Sequence, residues 1–279
     1  MYFLNINKPL NMSSFDVIRE LRKKLKIRQI GHSGTLDPLA EGVLQVAVGS
    51  ATKLLDYLPS DKTYVAEFRL GYVTETFDSE FEPKFVKKAD VSLDELTEVI
   101  NSFVGISMQI PPKYSAIKQN GTKLCDLARK NVEIALEPRE IEIYGIRLLE
   151  YDNFEYAKIE VDCKKGTYIR SLVNDIGLKL GCGAYLTALT RTRAGKFNLS
   201  DSNNLTDSKF IEINPLDALD MPVLEINEAE YNLISNGNFI NNRTDLNGCK
   251  ILLSFNKILV SVAEISDNLI KPKKNFKGV

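Results

Sequence analysis

The sequence lacks the features that mark membrane and secreted proteins. No apolar run approaches the ~20 residues that a membrane-spanning helix needs. The N-terminus has no basic start followed by a long apolar stretch, so a secretory signal is not predicted either. With 44% hydrophobic and 26% charged residues, disordered and fibrous classes fit poorly. We therefore expect a globular, cytoplasmic protein with no membrane partner.

Cysteine is also scarce, with four in 279 residues. They are Cys125, Cys163, Cys182 and Cys249. Their wide spacing contains no CxxC pair, whereas zinc knuckles and dense disulfide frameworks need closely grouped cysteines. We expect free thiols in a reducing compartment.

Excess positive charge is lacking too, since the formal net charge is −1. This argues against a nucleic-acid partner, because phosphate contacts need Lys and Arg. The charge is segregated, however: residues 163–196 hold seven basic residues against one acid, and residues 113–130 hold five against one. Residues 75–98 hold eight acids and three lysines, so the negative charge is expected elsewhere. Charge runs are usually solvated faces, but several basic segments weaken that interpretation.

Short strands and helices alternate without an internal repeat, which predicts an α+β fold. Residues 64–70 alternate in polarity and predict a half-buried strand. Strands are also expected at residues 2–6, 141–149 and 156–163.

Cap signals predict three helices. Ser13 and Asp16 have capping-box spacing before the first, and Ser92 begins the same pattern before the second. The third, at residues 169–180, has apolar residues at helical spacing and Gly181 placed to end it.

The most informative segment is GHSGTLDPLAEGVL, residues 31–44, which contains the only histidine, His32. Its glycines allow positive φ, and Pro38 fixes the backbone directly after Asp37. The apolar run at 43–48 predicts a buried strand, so the loop is attached to a rigid element. Taken alone, the segment fits a structural turn equally well. It does not fit a phosphate-binding P-loop, because no Gly-Lys-Ser/Thr follows.

This segment resembles the signature of the TruB family, the bacterial pseudouridine synthases that act on position 55 in the T loop of tRNA. Further segments match in order along about residues 3–200. They are NKPLNMSS with Lys8 and Pro9, KTYVAEFRLG with Tyr64, PPKYSAIKQNG, KKGTYIRSL with Arg170, and GCGAYLTALTR with Leu189 and Arg191.

The resemblance implies the site residues. Asp37 corresponds to the catalytic aspartate, Arg170 to its partner and Tyr64 to the aromatic residue against the target base. His32 corresponds to a residue that fills the stack left by the extruded nucleotide. The other residues expected to bind substrate are Gly34, Thr35, Leu36, Lys8, Pro9, Tyr168, Leu189 and Arg191, of which Tyr168 and Leu189 line the uracil pocket. By pattern alone, Tyr64 would belong to the core.

The resemblance also implies the architecture. It predicts a catalytic domain at residues 1–212 with a mixed, mainly antiparallel sheet and flanking helices. An insertion at about 111–135 would bind the T arm. A small β-rich, PUA-like domain at 213–279 would contact the acceptor stem.

The implied reaction is the isomerisation of uridine to pseudouridine, with base flipping and no cofactor or metal. A carboxylate acts in such a reaction as nucleophile or as base, and the sequence does not choose between them. We expect a monomer that acts on tRNA without a guide RNA. Two alternatives remain: a tRNA-folding chaperone with secondary catalysis, and a guide-RNA-dependent relative that works inside a larger particle.

Overall fold

The computed structural model describes residues 1–114, 118–119, 122–123 and 136–276. It contains a ten-stranded sheet, a five-stranded sheet and two short two-stranded sheets, which confirms the α+β class. The strands up to residue 204 are β1 (Tyr2–Lys8), β2 (Ile30–Ser33), β3 (Ala40–Val48), β4 (Lys62–Leu70), β5 (Tyr72–Val73), β6 (Lys84–Phe85), β7 (Gly105–Gln109), β8 (Lys118–Gln119), β9 (Thr122–Lys123), β10 (Arg139–Tyr151), β11 (Tyr156–Cys163), β12 (Ala184–Ala194), β13 (Phe197–Asn198) and β14 (Asn203–Asn204). The later strands are β15 (Val223–Glu225), β16 (Ile240–Asn241), β17 (Lys250–Phe255), β18 (Ile258–Ser266) and β19 (Leu269–Asn275).

The described helices lie beside these sheets. They are α1 (Ser14–Leu25), α2 (Leu93–Asn101), α3 (Ile169–Lys179), α4 (Pro215–Ala218) and α5 (Glu228–Ser235), with 3₁₀ turns at Gly49–Tyr57 and Leu199–Asp201. Within the described ranges, no helix combines the length and apolar character needed to cross a bilayer.

The large sheet runs in the order β14-β1-β3-β12-β4-β11-β10-β7. Most pairings are antiparallel, whereas β3 pairs with β12, and β1 with β14, in parallel. This confirms the mixed, mainly antiparallel prediction. Register brings distant segments together, because Leu189 lies opposite Ala40 and Arg191 lies opposite both Gly42 and Tyr64.

Local sequence signals account for the elements around the site. On β4 the residues Tyr64, Ala66, Phe68 and Leu70 are buried while their neighbours are partly exposed, as the alternation predicts. Helix α1 begins at the predicted capping box, since the Ser13 hydroxyl accepts from the Asp16 backbone at 3.1 Å and the Ser13 N–H donates to the Asp16 carboxylate at 2.9 Å.

The other two predicted helices also form. Ser92 caps α2 by accepting from the Glu95 backbone at 3.2 Å. Helix α3 ends where predicted, with Gly181 following it at φ +69°. Gly177 lets α3 approach β12 closely, because a Cβ there would lie 2.1 Å from the Ala184 nitrogen. The tight contact fixes the position of α3 against the central sheet.

The five-stranded sheet packs against the large one through a shared hydrophobic cluster. Phe3 and Val43 of the large sheet lie in this cluster with Leu252, Leu259 and Val262. The β-rich character of the C-terminal part is confirmed, while the boundary between residues 212 and 213 remains a prediction. Most of the expected insertion at 111–135 lies outside the described residues.

The cysteines of the described residues are free thiols, as expected. They are Cys163, Cys182 and Cys249. Cys125 lies outside the described residues.

Candidate active site

Asp37 lies in the loop between β2 and β3, and its neighbours are held on both sides. The buried Leu36 donates its N–H to the Ser14 hydroxyl at 2.9 Å, and that hydroxyl lies 3.1 Å from the Leu36 carbonyl. The Asn11 N–H donates to the Pro38 carbonyl at 2.8 Å. The head of α1 and the turn after β1 therefore hold the backbone around Asp37 in one conformation.

Arg170, in the first turn of α3, joins Asp37 to the rest of the site. Its side chain is 5% exposed, and Nη2 lies 2.9 Å from the Asp37 carboxylate. Nη1 lies 3.2 Å from the carboxylate of Asp78. The guanidinium also donates to the carbonyls of Thr76 and Tyr114 at 3.2 and 3.0 Å. Only a planar, forked cation can make such a set of contacts, so lysine would be a poor substitute.

Asp78 is a site residue that the sequence did not reveal. It belongs to the acidic stretch 75–98, whose charge was expected away from the site, and yet it is 4% exposed and pairs with Arg170. Its Oδ1 accepts from the Thr76 hydroxyl at 2.5 Å and from the Glu80 N–H at 3.0 Å. The expectation was wrong for this residue, because an acid inside an acidic run carries no local sign of burial.

The environment makes Asp37 a stronger base than an ordinary aspartate. Burial raises the pKa of its carboxyl, with the Arg170 guanidinium opposing this effect and the Asp78 carboxylate adding to it. The side chain still keeps 43% of its exposure, because it faces an open cavity. A substrate can therefore reach the carboxylate.

The cavity measures about 330 Å³, within the range typical of small-molecule sites. It brings together seven of the predicted site residues: Thr35, Leu36, Asp37, Tyr64, Tyr168, Arg170 and Leu189. Lys62, Gly166, Thr167 and Ile169 complete its lining. An apolar and aromatic wall beside a carboxylate–guanidinium pair suits a flat, polar heterocycle.

Lys62 was also missed by sequence reasoning. It lies two residues before Tyr64 on β4 and therefore shares the inward face of that strand. The available signal was a charged residue at an inward-facing position of the strand. It was missed because the predicted strand began at residue 64 and so did not include Lys62.

Tyr64 is 7% exposed and has Arg191 opposite it across the β4–β12 pair. Burial raises the pKa of the Tyr64 hydroxyl, and the Arg191 guanidinium opposes this shift. The ring is thus held neutral at the wall of the cavity.

The other predicted residues lie around the cavity without lining it. Lys8 is fully buried and donates to the Pro9 and Met12 carbonyls at 2.8 and 2.6 Å, while Pro9 is exposed. Burial lowers the pKa of Lys8 to about 8. Lys8 thus holds the turn whose Asn11 contacts the loop that carries Asp37.

His32 and Gly34 lie on the approach to the loop. His32 is half-buried, its Nδ1 has no hydrogen-bond partner among the described residues, and burial lowers its pKa. Gly34 adopts φ +70°, and its carbonyl accepts from Arg191 Nη2 at 2.9 Å. Arg191 also donates through Nε to the Val43 carbonyl at 2.7 Å, so it ties the loop to β3 and β12.

A metal centre was not predicted. In the part of the chain that the structure describes, no three His, Cys, Asp or Glu side chains form a group that could hold a metal ion.

Comparison with known proteins gives two family matches. Residues 22–169 match the model of the TruB family pseudouridylate synthase N-terminal domain. Residues 170–220 match that of the tRNA pseudouridylate synthase B C-terminal domain.

Curated relatives match most of the length of this chain. The tRNA pseudouridine synthase B of Clostridium acetobutylicum is 48% identical over 205 residues, which are 73% of this chain and 71% of that protein. The protein of the same name from Thermosipho melanesiensis is 41% identical across 99% of this chain and 95% of its own length.

Among solved structures, an H/ACA ribonucleoprotein bound to a substrate RNA containing 2'-deoxyuridine has a similar chain. The TM-score is 0.74 at 23% identity, covering 99% of this chain and 85% of that one. At this identity the likeness shows a common fold.

Proposed function

The chain belongs to the TruB family of pseudouridylate synthases, and we propose that it converts the uridine at position 55 in the T loop of tRNA to pseudouridine. Its relatives carry the name tRNA pseudouridine synthase B. The observation that carries the proposal is the Asp37–Arg170 pair, 2.9 Å apart, opening on a cavity lined by Tyr64 and Leu189.

The reaction breaks the C1'–N1 bond of uridine and forms a C1'–C5 bond, while the proton of C5 is lost and N1 gains one. No net oxidation or reduction occurs. Asp37 must be ionised and within reach of the sugar or the ring to act as nucleophile or base. Arg170 favours the charged carboxylate and fixes its orientation.

The target uridine must leave its stack to enter the cavity. Extrusion costs a few kcal/mol, and stacking of a base on an aromatic ring contributes ~1–3 kcal/mol. Tyr64 provides that ring in our proposal, with Tyr168 and Leu189 completing the uracil pocket. His32 takes the place of the extruded base in the RNA. Its lowered pKa keeps the imidazole neutral at pH 7, which suits stacking in a gap between bases.

Gly34, Thr35 and Leu36 shape the loop against the nucleotide, and Lys8 and Pro9 support it from the turn after β1. We further propose that residues 213–279 form a PUA-like domain that contacts the acceptor stem, and that the insertion at about 111–135 binds the T arm. The protein would act in the cytoplasm on tRNA, as a monomer and without a guide RNA.

The deciding experiment measures pseudouridine formation by the purified protein on an unmodified T-arm hairpin. Turnover without added protein or guide RNA is expected. Asp37→Asn should abolish turnover while RNA affinity stays within a few fold. Asp94→Asn is the matched control, because Asp94 is an exposed acid in the first turn of α2. Wild-type turnover by Asp37→Asn would overturn the proposed role.

A tRNA-folding activity is compatible with catalysis and can be separated from it. Asp37→Asn should retain any acceleration of tRNA folding, because RNA binding does not require the carboxylate. A need for guide RNA in the hairpin assay would instead favour the guide-dependent alternative.

A further inference from the structure

Two cations converge beside Gly34. If a Cβ were present at this glycine, it would lie 3.0 Å from Lys62 Nζ and 3.3 Å from Arg191 Nη1. Lys62 lines the cavity, and Arg191 is fully buried behind it. Both cations therefore pack closely against Gly34, where a side chain would crowd them.

Neither cation is fully satisfied by the protein. Arg191 uses Nε and Nη2 on the Val43 and Gly34 carbonyls, while its buried Nη1 has no hydrogen-bond partner among the described residues. The Tyr64 hydroxyl interacts with the Arg191 guanidinium, which opposes the rise in the pKa of that hydroxyl. The Lys62 ammonium makes neither a hydrogen bond nor an ion pair within the described ranges.

The charges around Lys62 are positive. Burial first, and then the charges of Arg191 and Lys165, lower the pKa of Lys62 to about 8, while Cys163 opposes this shift. No carboxylate is among these influences. Most of the amine is still protonated at pH 7, so the cavity holds a charge without a counterion. Buried charges are normally paired.

These cations are not needed to balance the catalytic carboxylate. The positive groups that act on Asp37 are Arg170 and Lys8. Lys62 is therefore available to an anion that enters the cavity, and the buried Arg191 adds positive charge behind it.

We propose that Lys62, which lines the cavity with the buried Arg191 guanidinium behind it, binds a backbone phosphate adjacent to the extruded uridine. This inference rests on the proposed function, because it takes the ligand to be an RNA strand with one base in the cavity. Uracil is neutral at pH 7, whereas a phosphodiester is ionised and is the group of an RNA strand that an unpaired ammonium would bind. Fixing this phosphate would hold the sugar in place while Asp37 acts.

The test is a double-substitution cycle that combines a protein variant with a modified RNA and measures binding affinity. T-arm hairpins carry an uncharged methylphosphonate on the 5' or the 3' side of the target uridine. Their affinities are measured for Asp37→Asn protein with and without Lys62→Met. We expect Lys62→Met to weaken binding of the unmodified hairpin about 10-fold, and to reduce the salt slope by about one. At one of the two positions the methylphosphonate should weaken binding by a similar factor. The Lys62→Met protein should bind that modified hairpin no more weakly than it binds the unmodified one.

Losses that multiply at both positions would overturn the proposal, as would an unchanged affinity for the unmodified hairpin when Lys62→Met is added to the Asp37→Asn protein. Lys62→Arg should retain affinity. Lys88→Met is the matched control, since Lys88 is exposed and makes no ion pair or hydrogen bond in the described part of the chain. It should show no coupling.

Thermal unfolding separates binding from a structural role. Lys62→Met should not lower Tm, because it removes an unpaired, partly buried charge. A lowered Tm with equal weakening towards every RNA would show that Lys62 supports the fold instead. The cycle needs no turnover, so a wild-type protein that forms no pseudouridine would overturn the proposed function without deciding the phosphate contact.

Discussion

Asp78→Asn separates two effects of a buried carboxylate on the site. Asp78 acts on Arg170 by direct contact and on Asp37 through its charge. Asparagine keeps the shape and one acceptor oxygen but removes the charge. Glu80→Gln is the matched control, because it makes the same charge change two residues away on an exposed side chain.

The magnitude follows from burial. The side chains of Arg170 and Asp78 are 5% and 6% exposed, so solvent screens their interaction little. Breaking a buried ion pair costs about 3–5 kcal/mol. Because the Asn oxygen still accepts a hydrogen bond, we expect roughly half of this, ~2 kcal/mol. For a chain of this size such a loss lowers Tm by about 4 °C.

Activity should respond in two ways. Arg170 loses a charged anchor, and a misplacement near 1 Å can cost about 100-fold in rate, so kcat on the T-arm hairpin should fall ~10- to 100-fold at unchanged RNA affinity. The Asp78 carboxylate raises the pKa of Asp37, and removing its charge should lower that pKa. Asp37 must be ionised to act, so the acid limb of the pH–kcat profile should move to lower pH.

The assay is single-turnover pseudouridine formation across pH, with circular dichroism for Tm. A variant with wild-type kcat and an unmoved acid limb would show that Asp78 neither fixes Arg170 nor influences Asp37. A limb that moves to higher pH would contradict the electrostatic sign directly.

Three further changes test other contacts. Arg170→Lys should lower single-turnover kcat by about 100-fold, because an ammonium cannot bridge two carboxylates and two carbonyls; a loss under 3-fold would contradict the need for a fork. Gly42→Ala should lower Tm by more than about 4 °C, since Gly42 has φ +102° and a Cβ would lie 2.3 Å from the Arg191 carbonyl; an unchanged calorimetric scan would contradict the strain. Tyr64→Phe should keep RNA affinity in a filter-binding assay, whereas Tyr64→Leu should lose about 10-fold through lost stacking; equal losses would implicate the hydroxyl instead.

Local patterns predicted the elements well because each depends on neighbouring residues. The capping box at Ser13 and the alternation from Tyr64 are interactions within four residues or along one strand. The structure forms both where predicted. Gly181 likewise follows α3 in a left-handed conformation, which a single residue type favours.

The site could be predicted only in part, since its contacts join distant segments. The family resemblance indicated Asp37 and Arg170, but Arg170 also meets Asp78, 92 positions away. No local pattern distinguishes Asp78 from the exposed acids around it. The parallel pairing of β3 with β12 could not be predicted for the same reason. The register between remote strands depends on packing that a single sequence does not reveal.

The distribution of charge around the cavity resolves the difficulty raised by a net charge of −1. Asp37 and Asp78 share Arg170, with Lys8 acting on Asp37 as well, so these two carboxylates are balanced by cations of their own. Lys62 has no carboxylate among the groups that act on it, and Arg191 adds to the positive charge beside it. The cavity is therefore left with a local excess of positive charge, whatever the sum over the whole chain. Because Debye screening limits exposed charges to about 8–10 Å, an RNA strand at the cavity responds to this local excess, and the acids at the distant surface oppose its binding little.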